Sequence, residues 1–307
     1  MVFSSLRSWQ PYMLLALANL FWAGNWVIGR ALREAFDPVT LNFWRWLLAT
    51  VILAPIALPL LRGKWQLARR HLPLLALLAA TGGALFQSMV YVGLRSTTAV
   101  NAVLLSASAP LFVMLCSWLL EREAATGRQV LGMLVSFGGI LAILGRGDTA
   151  MLQRLDFHPG DVWILLAMPV FGLYSVLLKR VPRELRGSFL LFSLAALTVP
   201  MLAAPLVAQG RGAHLQPLDA AVLLGVGYTA LFASVLAFTC WNRAVAALGA
   251  NVAGLSLPLM PAFGTILAMI FLGEELRMFH LAGIATILLG VGLATRPAAG
   301  AQLRESR

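Results

Sequence analysis

Charged side chains are scarce in this 307-residue sequence: Asp, Glu, Lys and Arg make up 11% of it, whereas 60% is hydrophobic. A soluble domain carries about a quarter of its residues as charged side chains. So few charges could not cover a water-facing surface, whereas a lipid-facing surface is itself apolar. The composition therefore excludes an ordinary soluble domain and predicts an integral membrane protein.

Cysteines, metal-ligand motifs and paired acids are also sparse. Cys116 and Cys240 both lie inside apolar stretches and outside any CxxC spacing, which is typical of small packing residues. The sequence has no HExxH motif, and no histidine or pair of aspartates occurs in the middle of an apolar stretch. Membrane-embedded enzymes need such nucleophile and base pairs or metal ligands. We therefore predict no enzymatic activity, no metal and no cofactor.

Ten apolar stretches account for most of the chain, each close to the ~20 residues that cross a bilayer. They lie at 11–29, 40–61, 72–94, 98–120, 128–145, 160–178, 187–208, 217–240, 247–272 and 279–296. The first stretch is too long for the apolar part of a cleaved signal peptide, and no small-residue cleavage site follows it. We predict an all-α membrane protein of about ten transmembrane helices.

The connectors between the stretches carry most of the basic residues behind the net charge of +11. With ten spans both termini share one side, which holds Arg7, Arg62, Lys64, Arg69, Arg70, Arg122, Arg128, Lys179, Arg180, Arg183, Arg186, Arg243, Arg296, Arg304 and Arg307. The other side holds Arg30, Arg33, Arg95, Arg146, Arg154, Arg211 and Arg277. Basic residues concentrate on the cytoplasmic side, so both termini are predicted to be cytoplasmic. Because no single basic patch exists, a nucleic-acid partner is not expected.

The two halves of the chain resemble each other at an offset of 151 positions. The matched pairs are Ala99 and Ala250, Ala102 and Ala253, Leu104 and Leu255, Pro110 and Pro261, Phe112 and Phe263, Glu123 and Glu274, Gly132 and Gly283, and Gly139 and Gly290. Five spans in each half are an odd number of crossings, so the second half starts from the opposite side of the membrane. We therefore predict two inverted five-helix repeats, at 1–147 and 148–307. Inverted repeats are typical of proteins that open alternately to the two sides.

Short motifs in both halves resemble those of a known family. They are Phe21 to Asn25, Pro38 with Arg45, Tyr91 to Leu94, Ala99 to Pro110, Glu123 with Gly132, Phe238 to Ala244, Pro261, and Leu272 to Glu274 with Gly283. Together and in this order, they resemble the EamA family of the drug/metabolite transporter superfamily over essentially the whole chain.

The resemblance implies ten helices in two inverted repeats and the export or uptake of small metabolites. Amino-acid exporters, including aromatic amino-acid exporters of the YddG type, are the members that the chain most resembles. A carrier in the bacterial inner membrane, with an amino acid or similar small molecule and membrane lipid as its partners, is therefore expected. A channel or a lipid flippase is an alternative, a membrane-embedded enzyme is a weaker one, and both a monomer and a homodimer stay open.

Arg45 is the basic residue that falls well inside a predicted span. A charge inside a bilayer costs about 2.5–3.5 kcal/mol on insertion scales. Because Arg45 lies toward the outer end of its span, two kinds of role are open. It could have a structural role, by snorkelling to the interface or capping backbone carbonyls, or it could bind the carboxylate of a substrate.

Neutral polar and aromatic side chains inside the spans predict a small-molecule cavity, which usually combines apolar walls with a few polar groups. An amide or hydroxyl at this depth often only bonds a neighbouring helix, which is the alternative for each one. The candidate substrate-binding residues are Trp22, Asn25, Gln87, Tyr91, Asn101, Ser106, Tyr174, Tyr228, Trp241 and Asn242.

Pro110 and Pro261 are matched across the repeat, and each interrupts helical hydrogen bonding. A kink needed for packing and a gating hinge are both compatible with this, and we take the two prolines as the candidate hinge pair.

The acidic residues and histidines lie at or beyond the ends of the predicted spans, whereas proton-coupled carriers commonly place such groups within the membrane. A carrier driven by its substrate's own gradient, as facilitator or exchanger, is therefore predicted. A phosphorylated cargo would call for several cations at cavity depth, and Arg45 is alone there. An amino acid, aromatic or otherwise large and apolar, fits better.

Overall fold

The structure, a computed structural model, describes residues 2–122, 127–146, 148, 158–208, 220–248, 256–257 and 259–295. Within these ranges the chain forms helices and turns but no strand. The α-helices are α1 (Val2–Ala31), α2 (Pro38–Arg70), α3 (Leu72–Leu78), α4 (Phe86–Ser96), α5 (Ala99–Ser106), α6 (Ala109–Glu121), α7 (Gly127–Leu144), α8 (Pro159–Leu178), α9 (Ser188–Ala208), α10 (Ala220–Tyr228), α11 (Ala237–Leu248), α12 (Leu259–Leu272) and α13 (Met278–Thr295). Two π-helical segments, π1 (Ala79–Leu85) and π2 (Thr229–Leu236), join α3 to α4 and α10 to α11.

Six of the described helices or continuous helical segments are long and apolar enough to cross a membrane. They are Trp9–Ala31, Pro38–Arg70, Leu72–Ser96, Pro159–Leu178, Ser188–Ala208 and Ala220–Ala244. The pair Ala99–Ser106 and Ala109–Glu121, bent by 41°, would form a seventh span, and Gly127–Ile143, Leu259–Leu272 and Met278–Gly290 are shorter apolar helices. These segments overlap the ten predicted stretches, although residues 249–255 and 258 of the ninth stretch lie outside the described ranges. The prediction of an all-α membrane protein is confirmed.

Helix α2 begins with local signals that the sequence carries. Pro38 occupies its first turn, and the Asp37 carboxylate accepts the backbone N–H of Val39 at 3.1 Å, as is usual at helix starts. The 33 residues of α2 extend about 50 Å, farther than the hydrocarbon core is thick. Its last turn carries Arg69 and Arg70, so the surplus length ends in charge.

The helices repeat at the offset that the sequence predicts. Adding 151 to the bounds of α7 yields the bounds of α13, and π1 at 79–85 corresponds to π2 at 229–236. π-Helical turns are rare and often mark functional sites, so their recurrence at equivalent positions supports a duplicated fold. Of the matched residues, Glu123, Ala250, Ala253 and Leu255 lie outside the described ranges.

The equivalent helices α7 and α13 pack directly against each other through glycine. A Cβ on Gly139 would lie 2.6 Å from the carbonyl oxygen of Gly283, and one on Gly290 would lie 2.4 Å from that of Gly132. Residues of α7 therefore meet residues of α13 in reverse order, which makes the pair antiparallel. Adding 151 to Gly139 and Gly132 yields Gly290 and Gly283, so each of the two contacts is the repeat equivalent of the other. The interface is therefore self-complementary.

Ser136 and Ile287 lie at the centre of this interface. The Ser136 hydroxyl donates to the Ile287 carbonyl at 3.0 Å, and the two residues are 151 positions apart. A residue that contacts its own repeat equivalent lies next to the axis relating the repeats. This contact is the one expected at the axis of an inverted repeat, and the inverted orientation of the halves stays a prediction.

The helix containing Pro110 is broken where the proline predicts it. α5 ends at Ser106, α6 begins at Ala109, and the two are bent by 41°. Pro110 lies in the first turn of α6, where its missing N–H costs nothing. Pro261 is buried in the first turn of α12, but residues 249–255 and 258 before it lie outside the described ranges. The hinge function of both prolines stays a prediction.

Candidate substrate site

Arg45 lies in the interior of the bundle. It is 3% exposed, and its Nε donates to the Ser234 hydroxyl at 2.6 Å. That hydroxyl donates in turn to the Thr229 carbonyl at 2.9 Å, within π2. The guanidinium therefore joins α2 in the first half of the chain to π2 in the second, and a side chain held in this way does not snorkel.

The hydroxyl of Tyr91 extends this polar arrangement to α1. It donates to Asn25 Oδ1 at 2.8 Å, and the Tyr91 hydroxyl oxygen lies 3.5 Å from Arg45 Nη1. Both Tyr91 and Asn25 are buried. Gly29, about one turn after Asn25, makes room for the ring, because a Cβ there would lie 2.7 Å from a Tyr91 ring carbon. Side chains of α1, α2, α4 and π2 thus converge on one buried point.

The positive charge of Arg45 has no acidic partner in the part of the chain that the structure describes. The ion pairs there join Arg30 to Glu274, Arg33 to Glu34, Lys179 to Glu121 and Arg277 to Glu275. The Trp46 ring, with its centroid 5.2 Å from the guanidinium carbon, compensates in part through a cation–π contact. A buried cation without a counter-ion is costly, so this position favours an anionic group.

Gln87 brings a second unsatisfied donor close to Tyr91. It precedes Tyr91 by one turn and therefore lies on the same face of α4. Gln87 is 5% exposed, and its Nε2 has no hydrogen-bond partner among the described residues. The Gln87 side chain faces the Tyr91 hydroxyl without a well-formed hydrogen bond of its Nε2, and buried donors are rarely left unpaired, so this amide is a candidate donor to a bound molecule.

The segment π1 is held by side chains that bond its carbonyls. Asn42 Nδ2 and Trp46 Nε1, both from α2, donate to the Gly83 carbonyl at 2.9 and 3.2 Å. Thr198 of α9 donates to the Ala79 carbonyl at 3.3 Å. Gly83 permits this approach, because a Cβ there would lie 2.2 Å from the Thr198 hydroxyl. Helix α2 is therefore bonded to π1 as well as to π2.

Aromatic rings pack where α1 meets π2 and α11. The ring centroid of Trp22 is 5.4 Å from those of Phe238 and Trp241. Tyr228 stacks on Phe232 at 5.1 Å. All five rings are half-buried, and Trp22 places this aromatic group next to α1, the helix that also supplies Asn25.

Tyr174 lies on α8, apart from that aromatic group. Its ring is 6.2 Å from that of Phe171 and covers Gly82 of π1, where a Cβ would lie 2.5 Å from ring carbons. Phe171 in turn is 5.1 Å from Phe86. Tyr174 therefore packs against π1, and none of the hydrogen bonds of the Arg45 site involves it.

The remaining predicted residues are placed differently. Asn101 bonds Asp161 and His280 in a separate cluster. The Ser106 hydroxyl donates to a carbonyl of its own helix at 2.6 Å, and Asn242 is exposed. The structure thus brings Asn25, Gln87 and Tyr91 together with Arg45, and it does not bring Asn101, Ser106 or Asn242 into hydrogen-bond contact with them.

Sequence reasoning missed Ser234 and Asn42. Each is a small polar residue within an apolar stretch, a class too common to single out. The repeat could have identified Ser234, because it is equivalent to Gly83 at the offset of 151, and Gly83 is the position of π1 that α2 contacts.

These features define a helical integral membrane protein with a duplicated fold and a buried polar site between its halves. The model of the EamA-like transporter family matches residues 9–145 and again residues 158–296. The chain therefore belongs to the EamA-like transporter family and is a transporter of small metabolites.

Similar proteins match over nearly the full length of the chain. YyaM of Bacillus subtilis, an uncharacterized transporter, is 23% identical over 282 residues, which are 91% of this chain and 92% of YyaM. A "probable terminal-alkyne amino-acid exporter" of Streptantibioticus cattleyicolor is 30% identical over 289 residues, 93% of each chain. A crystal structure 20% identical in sequence superposes with a TM-score of 0.60 and covers 93% of this chain and 97% of its own, so it shares the fold. The relatives are named transporters, which are not enzymes.

Proposed function

We propose that this protein is a secondary carrier that moves amino acids, including aromatic ones, across the bacterial inner membrane as an exporter or facilitator. The observation that carries the proposal is the buried Arg45 guanidinium, which has no acidic partner among the described residues. A carboxylate supplies the missing negative charge. The relative named as an amino-acid exporter, at 30% identity, supports the same class of cargo.

An amino acid fits this arrangement part by part. Arg45 uses Nε to bond Ser234, and its bond to Tyr91 at 3.5 Å is long, so its terminal nitrogens are the donors for a carboxylate. The amide of Gln87 is a further donor. The rings of Trp22 and Trp241 offer an apolar surface to the substrate side chain. One guanidinium suits one carboxylate, whereas a phosphate ester would need more cations.

Alternating access between the two faces requires halves of opposite orientation, which we place at 1–147 and 148–307. Support comes from α7 and α13, which are repeat equivalents and pack antiparallel. A two-fold axis that exchanges antiparallel helices runs perpendicular to them, and for membrane-spanning helices that direction lies in the membrane plane. A repeat related by an axis along the membrane normal would make equivalent helices parallel.

We propose that the substrate's own gradient drives transport. Support comes from the Arg45 site, whose hydrogen-bonded members Asn25, Tyr91 and Ser234 include no carboxylate or histidine. Flux into proteoliposomes with and without a pH gradient tests this. The proposal expects equal steady-state levels in both conditions, and accumulation against the substrate gradient driven by protons alone would contradict it.

Counterflow in proteoliposomes tests the cargo and the carrier mechanism together. Vesicles loaded with unlabelled phenylalanine are expected to take up labelled phenylalanine transiently above equilibrium. Phenylalanine should compete for this uptake, whereas 2-phenylethylamine, which lacks the carboxylate, should not. Flux that never saturates, without counterflow, would identify a channel, and absence of counterflow across a full set of amino acids would reject this cargo.

A further inference from the structure

A second polar cluster closes one end of the bundle, apart from the Arg45 site. This end cluster consists of Thr97 and Asn101 from the first half of the chain and Asp161 and His280 from the second half. All four residues are buried, with exposures of 1% for Thr97 and Asp161 and 4% for Asn101 and His280. Their positions close to helix ends conceal this burial in the sequence.

The hydrogen bonds of the end cluster define where each proton lies. The backbone N–H of Arg277 donates to His280 Nδ1 at 3.0 Å, and because a backbone N–H only donates, Nδ1 carries no proton. His280 Nε2 therefore carries the proton and donates to Asn101 Oδ1 at 2.7 Å. Asn101 Nδ2 donates to the two carboxylate oxygens of Asp161 at 3.3 and 3.4 Å, and the Thr97 hydroxyl also donates to Asp161. The imidazole is neutral in this arrangement.

The loop 273–277, which joins α12 to α13, is bonded to the first half of the chain as well. Both oxygens of Glu274 accept backbone N–H groups at the start of α5, from Ala99 and Val100, each at 2.8 Å. Arg30 Nε lies 3.9 Å from the same carboxylate. A carboxylate at a helix N-terminus is favoured by the orphan N–H groups and the helix dipole. This loop therefore ties the second half to α5, and separation of the halves at this end must break these bonds.

We propose that His280 is a proton-binding site whose occupation releases loop 273–277 and opens this end of the protein. A protonated imidazole donates from both nitrogens, so Nδ1 can no longer accept the Arg277 N–H. The loop must then move, and Glu274 moves with it away from α5. In the open protein the imidazole meets water, where histidine titrates near pH 6.5. Acid at this face therefore stabilises the open state.

The other charged groups near the cluster are consistent with proton uptake on opening. Burial of the imidazole, and then the charges of Arg277 and Arg146, disfavour a positive charge on His280 while the end is closed. Asp161, which also faces His158 and Arg146, is separated from the imidazole by the Asn101 amide. These surroundings keep His280 neutral in the closed protein. In the open protein the imidazole meets water and can bind a proton.

The repeat does not reproduce the Asp161 and His280 pair in the first half of the chain. At the offset of 151, the residues equivalent to Asp161 and His280 are Gln10 and Gln129, neither of which titrates. The end with the proton site is the one at which α5, α8 and α13 begin, which the predicted topology makes non-cytoplasmic. External acid is therefore expected to act on this face alone.

Hydrogen–deuterium exchange of the full-length protein in lipid nanodiscs tests the proposal without a transport substrate. Peptides covering residues 97–106 and 273–281 are compared at pH 5.5 and 7.5, after correction for the intrinsic exchange rate. One proton that binds near pH 6.5 in the open state alone raises the open-to-closed ratio about tenfold between these values. Exchange in both peptides is expected to rise accordingly.

Variants separate His280 from its neighbours. His280→Gln keeps a donor toward Asn101 but does not titrate, so its pH response is expected to vanish, and His280→Asn serves if the first variant does not fold. His71→Gln, a matched histidine at the opposite end of the bundle, should retain the full response. An unresponsive wild-type protein, a full response in His280→Gln, or loss of response in Asp161→Asn alone would each overturn the proposal. Because exchange requires no cargo, failure here and failure of the counterflow experiment are distinguishable.

Discussion

At the scale of single residues, burial and hydrogen bonding separate structural groups from groups left for a ligand. Tyr91 and Asn25 satisfy each other, and Ser234 is bonded on both sides. Arg45 and Gln87 are buried beside them, yet the first has no acidic partner and the second an unpaired amide within the described chain. This contrast makes Arg45 and Gln87 the residues whose replacement is most informative.

Arg45→Gln is expected to raise the KM for an amino acid about tenfold to a hundredfold, because it removes a charge-assisted pair with the substrate carboxylate. Initial rates of counterflow across a range of substrate concentrations measure this effect. Arg62→Gln, on the exposed part of the same helix, is the matched control and should leave KM unchanged. If Arg45→Gln lowered Vmax and thermal stability at constant KM, the role of Arg45 would be structural.

Ser234→Ala is expected to lower the free energy of unfolding by about 1–3 kcal/mol, because Arg45 Nε would lose its buried acceptor. The midpoint of thermal unfolding in detergent reports the change. Ser193→Ala removes a hydroxyl that bonds only its own helix, at 2.8 Å to Phe189, and should have a much smaller effect. Equal shifts in the two variants would contradict a special role for Ser234.

At the scale of helices, α2 connects the two π-helical segments that lie at equivalent places in the repeats. It bonds π1 through Asn42 and Trp46 and π2 through Arg45. The α7–α13 interface is a second connection, in which glycines leave room for the two helix backbones to approach closely. The first connection consists of hydrogen bonds, whereas the second is a close steric fit.

Gly139→Ala is expected to destabilise the protein by about 1–3 kcal/mol through overpacking, because the new methyl would lie 2.6 Å from the Gly283 carbonyl. The adjacent glycine is an internal control, since a Cβ on Gly138 meets nothing within 4 Å. Gly138→Ala should be neutral or slightly stabilising, because alanine favours the helix. The midpoints of thermal unfolding of the two variants are compared in the same detergent. Equal midpoints would contradict the tight α7–α13 interface.

At the scale of the whole molecule, the ends of five helices meet on one face. Arg30 of α1 bonds the Leu94 carbonyl of α4 at 2.8 Å, and Glu274, which follows α12, caps α5. Asp161 of α8 joins the same group through Thr97. Helices α1 and α4 end at this face, and α5 and α8 begin there. With an even number of spans, this face lies opposite to the two termini.

Both termini are therefore expected on the cytoplasmic side. Cysteines introduced at Ser4 and Ser306, in a background where Cys116 and Cys240 are replaced, should be protected from a membrane-impermeant maleimide in intact cells and should react after lysis. A cysteine introduced at Arg33, between α1 and α2, should react in intact cells. Labelling of one terminus alone would mean an odd number of spans and would remove the inverted repeat.

The fold could be predicted further than the site. Asn25, Gln87, Tyr91 and Arg45 were predicted as polar groups inside the spans, and the structure brings them together, but their role in substrate binding stays a prediction. Asn101 shares their chemistry but bonds Asp161 and His280 instead. Residue type and depth are the same in both cases, so neither distinguishes a ligand site from a contact between helices.

By itself, the sequence determined the class, the positions of the spans and the duplication, because apolar length, the exclusion of charge from lipid and a constant offset are all properties of the linear chain. Only the tertiary structure decided which polar groups meet. Arg45 and Ser234 are 189 positions apart, and whether they touch depends on how α2 packs against π2. The burial of Asp161 and His280 was decided in the same way, since a helix end is wet or dry according to the helices that surround it.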